Sequence, residues 1–239
     1  MDDGRDFLGF SNFEIDYLKY IMPNKLVISE QIAEIIKLSR NNISEDISIV
    51  DLGCGTGRLT RSLFEDICNI KVIAIDDKVQ LIRQLKRHHA DEINNGQLST
   101  ILNDILSALG TIESDSISYI ASLYVFHNFR KEYKTKLHKE IYRVLKPGGL
   151  FLNGDFFALD DVDENNKVEQ ERVKYCMKAL IAINKIDYIT KWAMHHTHDL
   201  NPNVLMYESE VFNELKTIGF KDIEFSYRVK NEGLLKCRK

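Results

Sequence analysis

The chain has 239 residues, of which 44% are hydrophobic and 28% charged, an ordinary globular composition with enough apolar material for one large domain or one domain with an embedded cap. Its 32 basic residues against 36 acidic ones leave a net charge of −4, without the positive excess of a protein that grips phosphate backbones over a broad surface. Nucleic acid is therefore not the expected partner.

The acidic start, Met1-Asp2-Asp3-Gly4, leads into no apolar secretory core. The longest strongly apolar runs, 120–126 and 179–183, are far shorter than the roughly 20 residues that cross a bilayer. A cytoplasmic protein without membrane attachment is expected. Four cysteines, Cys54, Cys68, Cys176 and Cys237, are too widely spaced for a zinc framework or a redox pair and read as free thiols.

In chain order, Phe7, Phe10, Phe13, Tyr17 and Tyr20 mark an aromatic N-terminal helical arm over 1–44, within which Ser29 reads as the N-cap of an amphipathic helix bearing Ile32, Ile35 and Ile36. Alternation begins after it. Short β-branched runs at 47–52, 72–75, 97–102, 116–122 and 150–154 predict strands, with helices over 58–67, 78–90 and 130–145. Such runs separated by helical segments imply a parallel sheet buried on both faces. Residues 158–207 break the pattern into mainly helical sequence with an acidic opening at 160–164, the candidate inserted cap. A helix over 209–218 and two strands, 222–229 and 234–237, close the chain, the strands near enough to form a hairpin. The expected fold is a single α/β domain: a doubly wound, mostly parallel seven-stranded sheet with an antiparallel C-terminal strand, an N-terminal helical arm and an inserted cap.

The most informative segment is Ile49-Val50-Asp51-Leu52-Gly53-Cys54-Gly55-Thr56-Gly57-Arg58. A strand runs into alternating glycines and then a helix. Glycines there let the backbone turn sharply and come close to a small molecule, and the helix start offers unpaired N–H groups. About twenty residues on, the second strand ends in Asp76, where a carboxylate can accept from both hydroxyls of a ribose. The dinucleotide pattern Gly-x-Gly-x-x-Gly fails in both registers, at Arg58 and at Thr60, and no Gly-Lys-Ser/Thr closes a Walker loop.

The remaining pattern, Asp-x-Gly-x-Gly-x-Gly with Asp51 ahead of the glycines, resembles the class I S-adenosylmethionine-dependent methyltransferases, and the motif order matches over about 45–158. The resemblance implies S-adenosylmethionine as cofactor and S-adenosylhomocysteine as product. It implies that Asp51, Gly53, Cys54, Gly55 and Gly57 hold the methionine part and Asp76 the ribose. Asp77 lies where the family packs side chains around the adenine, Asn103-Asp104-Ile105 where an acidic side chain meets the adenine amine, and Ser122 and Leu123 where backbone carbonyls face the ammonium group. The Lys146-Pro147-Gly148-Gly149 turn corresponds to the family's lead into its fifth strand.

Methyl transfer from a sulfonium is an in-line displacement with a neutral leaving group, so proximity and orientation supply most of the catalysis and a base is needed only for a protonated acceptor. His127 and Tyr124, just after the fourth strand, are the candidates. Tyr17, Tyr20, Trp192, His195 and His196 are candidate acceptor-pocket residues. His195-His196-Thr197-His198-Asp199 invites a metal reading but lacks the wider framework of a zinc site, and no metal is expected. No Asn-Pro-Pro-Tyr or Asp-Pro-Pro-Tyr follows the fourth strand and no Pro-Cys nucleophile is present, which leaves a small molecule as the leading acceptor. A tRNA or protein methyltransferase, a carboxy-S-adenosylmethionine synthase and a cofactor-binding regulator stand as alternatives. Monomer and homodimer remain open.

Overall fold

The computed structural model describes residues 21–40 and 46–239; Tyr17, Tyr20 and most of the aromatic arm lie outside them. Helix α1 (Pro23–Ser39) precedes a repeating pattern: β1 (Ile47–Leu52), α2 (Arg58–Asp66), β2 (Ile70–Asp76), α3 (Val79–His88), α4 (Ala90–Asn94), β3 (Leu98–Leu102), α5 (Ile105–Leu109) and β4 (Ile117–Leu123). A 3-10 turn (Phe126–Asn128) leads to α6 (Lys131–Val144) and β5 (Leu145–Phe156). Helices α7 (Val162–Ala182) and α8 (Tyr188–Asp199) follow, then α9 (Glu208–Ile218), β6 (Lys221–Val229) and β7 (Glu232–Arg238). Among the described residues no helix is long and apolar enough to cross a membrane.

The seven strands form one sheet in the order β3-β2-β1-β4-β5-β7-β6. All pairs from β3 to β5 are parallel, whereas β7 runs antiparallel to both β5 and β6. The expected sheet is thus the observed one, with β7 as the reversed strand. Because both faces are covered, β1 and β4 read as nearly unbroken apolar runs rather than alternating ones. One face packs against α1, α2 and α3 around Ile32, Leu63 and Leu85. The other packs against α5, α6 and α9 around Phe126, Leu137 and Leu215. The chain winds away from β1 in one direction through β2 and β3, then restarts on the opposite side at β4. Doubly wound sheets place ligands at such a switch point, beyond the carboxyl ends of the two central strands.

Ser29 is not an N-cap. Pro23 occupies the start of α1, where its missing N–H and fixed φ suit the first helical turn. Ser29 lies one and a half turns in, fully buried, its hydroxyl donating to the Leu26 carbonyl and accepting from Arg58 Nε. Helix α1 lies close to β5 through Gly154, where a Cβ would come within 2.3 Å of Ile28 Cγ2. Residues between β5 and α9 leave the sheet at Ala158, which pairs with Tyr207 in an isolated parallel bridge. Between those points α7 and α8 build a small core of their own from Cys176, Leu180 and Trp192, joined by Ile21.

Candidate functional site

The glycine loop turns immediately after β1. Gly53, Gly55 and Gly57 all have positive φ, and a Cβ on Gly53 would lie 2.5 Å from Val125 Cγ2, so that position combines a left-handed backbone with a close approach from the β4 loop. Asp76, at the end of β2, ties the loop down: Oδ2 accepts the Gly55 N–H at 3.0 Å and Oδ1 accepts the Lys78 N–H at 2.9 Å. Burial pushes the Asp76 carboxyl above the usual range, against the pull of these two donors.

Asp51 sits behind the loop, its Oδ2 accepting the Thr60 hydroxyl at 2.7 Å. Burial, partly offset by that hydrogen bond, pushes its carboxyl up from 3.8 to about 7. An acid whose folded-state pKa exceeds its unfolded one stabilises the fold fully at low pH and loses that contribution as the pH rises from 3.8 through about 7. Over that window the loss is at most about 4 kcal/mol. Asp51→Asn, which keeps an acceptor for Thr60, is expected to raise the melting temperature at pH 8 and leave it nearly unchanged at pH 4; an equal effect at both values would show that Asp51 does not titrate in this way.

Asp104 is the N-cap of α5, accepting the Ser107 N–H at 3.1 Å and the Tyr133 hydroxyl at 2.7 Å. Although burial works the other way, these donors hold its carboxyl below the usual range. Tyr124, at φ 57°, donates its hydroxyl to Glu232. Burial, with the Glu232 carboxylate beside it, pushes the phenol well above its ordinary value. It therefore stays protonated as a donor and is unsuited to act as a base.

His127 is held by Asp155, a fully buried carboxylate in β5. Asp155 Oδ1 lies 2.6 Å from His127 Nδ1, and its Oδ2 accepts the N–H groups of Val125, Phe126 and His127 at 3.1, 2.7 and 3.3 Å. One side chain thus builds the 3-10 turn and orients the imidazole on it. Burial raises the Asp155 carboxyl, but the His127 ring and its hydrogen bond outweigh this and bring it below the usual range. No neighbouring pattern singles out Asp155 in the sequence; the signal was a charge inside an otherwise apolar strand.

One cavity collects these elements. Gly53, Gly55, Asp76, Asp77, Asp104, Ile105 and Leu123 line it, as do Tyr124, His127, Trp192, His195 and His196. Asp51, Cys54, Gly57, Asn103 and Ser122 are not on its wall: Asp51 is behind the loop, and Asn103 Oδ1 accepts the Asp104 N–H. Met22 and Lys25 from α1, Phe156 from β5 and Arg172 from α7 complete the lining. None of these four follows a motif, since only the packing of α1 and α7 against the sheet end delivers them. Arg172 lies 3.7 Å over the Phe156 ring and within 3.5 and 3.6 Å of Glu169 and Asp199. His196 stacks on Trp192, with ring centroids 5.0 Å apart. Burial, reinforced by Arg172, pushes the His196 imidazole down to about 4, and burial also lowers His195. Both rings are neutral at neutral pH.

A doubly wound sheet with a glycine loop and a strand-end carboxylate at its switch point defines a nucleoside-type cofactor-binding α/β protein. Residues 49–149 match a family model described as a methyltransferase domain. The chain is 23% identical over 200 residues to the carboxy-S-adenosyl-L-methionine synthase of Erwinia tasmaniensis, covering 83% of this chain and 77% of that protein. A SAM-dependent methyltransferase from Archaeoglobus fulgidus has the same fold, with TM-score 0.63 at 10% identity over 96% of this chain and all of that one. The CurJ carbon methyltransferase also matches, with TM-score 0.63 at 15% identity over 89% of this chain; the chain spans only 54% of that structure. Residues 49–149 thus match a methyltransferase domain, and the chain as a whole has the fold of the class I S-adenosylmethionine-dependent methyltransferases.

Proposed function

We propose that this enzyme transfers a methyl group from S-adenosylmethionine to a small-molecule acceptor enclosed between the sheet end and residues 158–207. The observation that carries the reading is the continuity of one cavity from the glycine loop and Asp76 to Phe156, Arg172, Trp192 and His195. Donor and acceptor bound side by side in such a cavity meet the need of an in-line displacement for proximity and alignment. Asp76 receives the ribose hydroxyls, and the loop from Asp51 to Gly57 holds the methionine part. Of the residues expected around the adenine and the ammonium group, Asp77, Asp104 and Ile105 surround the adenine and Leu123 faces the ammonium group, whereas Asn103 and Ser122 stand behind the wall as supports. The 158–207 segment serves as a cap over the acceptor, contributing Arg172, Trp192, His195 and His196 to the wall and shielding the site from water. His127, oriented by Asp155, presents its remaining ring nitrogen to an acceptor that must lose a proton.

A second reading is favoured by Arg172 and Lys25 on the cavity wall: a cationic lining suits an anionic co-substrate and a carboxylated cofactor as product. One experiment separates the two. Methyl-labelled S-adenosylmethionine is incubated with the protein and a metabolite extract, with RNA and protein fractions alongside and mass analysis of the cofactor pool. Label in a small molecule is the expected result. Label confined to RNA or protein overturns the reading, and a heavier, carboxylated cofactor without label transfer establishes the second one.

A further inference from the structure

His127, from the turn after β4, meets His195 and Asp199, one helical turn apart on α8. Among the described residues, one ligand atom of each lies within 4.8 Å of those of the other two. His195 Nε2 is 3.8 Å from Asp199 Oδ1. Asp199 is only 6% exposed, yet neither of its carboxylate oxygens accepts a hydrogen bond. Its neighbours are charged or ionisable groups at ion-pair distance, Arg172 at 3.6 Å and His195. A buried carboxylate whose lone pairs are left unused is rare and points to a missing partner. His127 supplies the matching half: Asp155 occupies Nδ1 at 2.6 Å, so the nitrogen it offers is Nε2. A carboxylate bonded to the far nitrogen of an imidazole is the usual support of a metal-ligating histidine, fixing its tautomer and raising its basicity.

We propose that His127, His195 and Asp199 bind one divalent transition-metal cation, with coordination positions open toward the cavity. Two imidazoles and one carboxylate suit zinc, manganese or ferrous iron better than calcium or magnesium. Donors about 2.0–2.2 Å from such an ion stand about 3–3.5 Å apart, so the cluster closes by small side-chain movements. Both histidines line the cavity that holds the reacting groups. The inference therefore deepens the small-molecule reading and rests on it for its role: the cation takes an acceptor hydroxyl as a ligand and lowers its pKa. The hydroxyl proton passes to solvent, the oxygen forms the new bond to the methyl carbon, and the carbon–sulfur bond breaks with its electron pair on sulfur. In that form His127 is a ligand and not the base. The sequence reading expected no metal because the histidines of α8 lack a distant partner; the partner comes from the other side of the fold.

The test uses the full chain, stripped with a chelator, titrated calorimetrically with Zn2+ and followed by visible absorption with Co2+, without cofactor or acceptor. One equivalent should bind. His195→Ala and Asp199→Asn should each weaken binding about 100-fold or more, and Asp155→Asn by about 10–100-fold. His198→Ala, on the same helix but outside the cluster, should bind as the parent does. Should Asp199→Asn fail to fold, judged by thermal melting and cofactor calorimetry, His195→Gln carries the test alone. Absence of saturable one-equivalent binding overturns the proposal, as does binding that His195 substitutions leave unchanged. One-equivalent binding without label transfer to any small molecule overturns the acceptor reading and leaves the metal site standing.

Discussion

Asp155→Ala is expected to cost about 3–5 kcal/mol of stability, close to the whole margin of many domains. The carboxylate accepts three backbone N–H groups of the 125–127 turn, the N–H of Phe156 and the contact with His127, all in a site with no exposure. Alanine leaves every one of those donors buried without an acceptor, and each costs about 1–3 kcal/mol before relaxation. Because the folded-state pKa of Asp155 lies below the unfolded one, its contribution is present at neutral pH and is lost as the pH falls below 3.8. Asp155→Asn separates the scaffold from the chemistry. The amide keeps an oxygen for the three N–H donors of the 125–127 turn, leaves the Phe156 N–H without its acceptor, and turns an N–H toward His127 Nδ1, which forces the proton onto Nε2. Thermal melts should show a modest loss for the Asn variant. Methyl transfer to the acceptor found in the labelled extract should fall about 10²–10⁴-fold. A wild-type rate in Asp155→Asn would mean that the free nitrogen of His127 takes no part.

Asp76→Ala is expected to reduce affinity for S-adenosylmethionine and S-adenosylhomocysteine about 10²-fold or more. Two hydrogen bonds accepted by a carboxylate from ribose hydroxyls, at about 1.5–3 kcal/mol each, set that scale. Asp76 also receives the Gly55 N–H, so part of any loss reflects a loosened loop. A cofactor analogue lacking one ribose hydroxyl resolves the two contributions. The parent should bind it much more weakly than S-adenosylhomocysteine, and Asp76→Ala should bind both alike. Calorimetry that finds undiminished binding, or the same discrimination in the variant, removes Asp76 from the ribose.

The parts of this site that can be read from the sequence are those whose partners are near in the chain. Asp51, the three glycines and Asp76 fall within a strand-turn-helix-strand unit, where the spacing itself dictates that loop and carboxylate meet at adjacent strand ends. The sheet followed from its apolar runs for the same reason. Ser29 misled because a serine before an apolar stripe has the pattern of a cap, while Pro23 six residues earlier had already started the helix. The His127, Asp155, Arg172, His195 and Asp199 constellation had no local signature. It gathers from a turn, a strand and two helices, and the contact between His127 and His195, with ring centroids 5.8 Å apart, exists only because α8 folds back over the end of β4.

The Ala158–Tyr207 bridge gives that arrangement a neck. The Ala158 N–H donates to the Met206 carbonyl and the Glu208 N–H to the Ala158 carbonyl, at 2.8 and 3.1 Å, so the excursion departs and returns through neighbouring points. The conformational cost of closing it is met at those two bonds and grows only slowly with the length beyond them. The segment above the neck is therefore an exchangeable head. A foreign head of another length, grafted between Ala158 and Tyr207, should leave the sheet and its nucleotide end intact while changing which molecule is admitted.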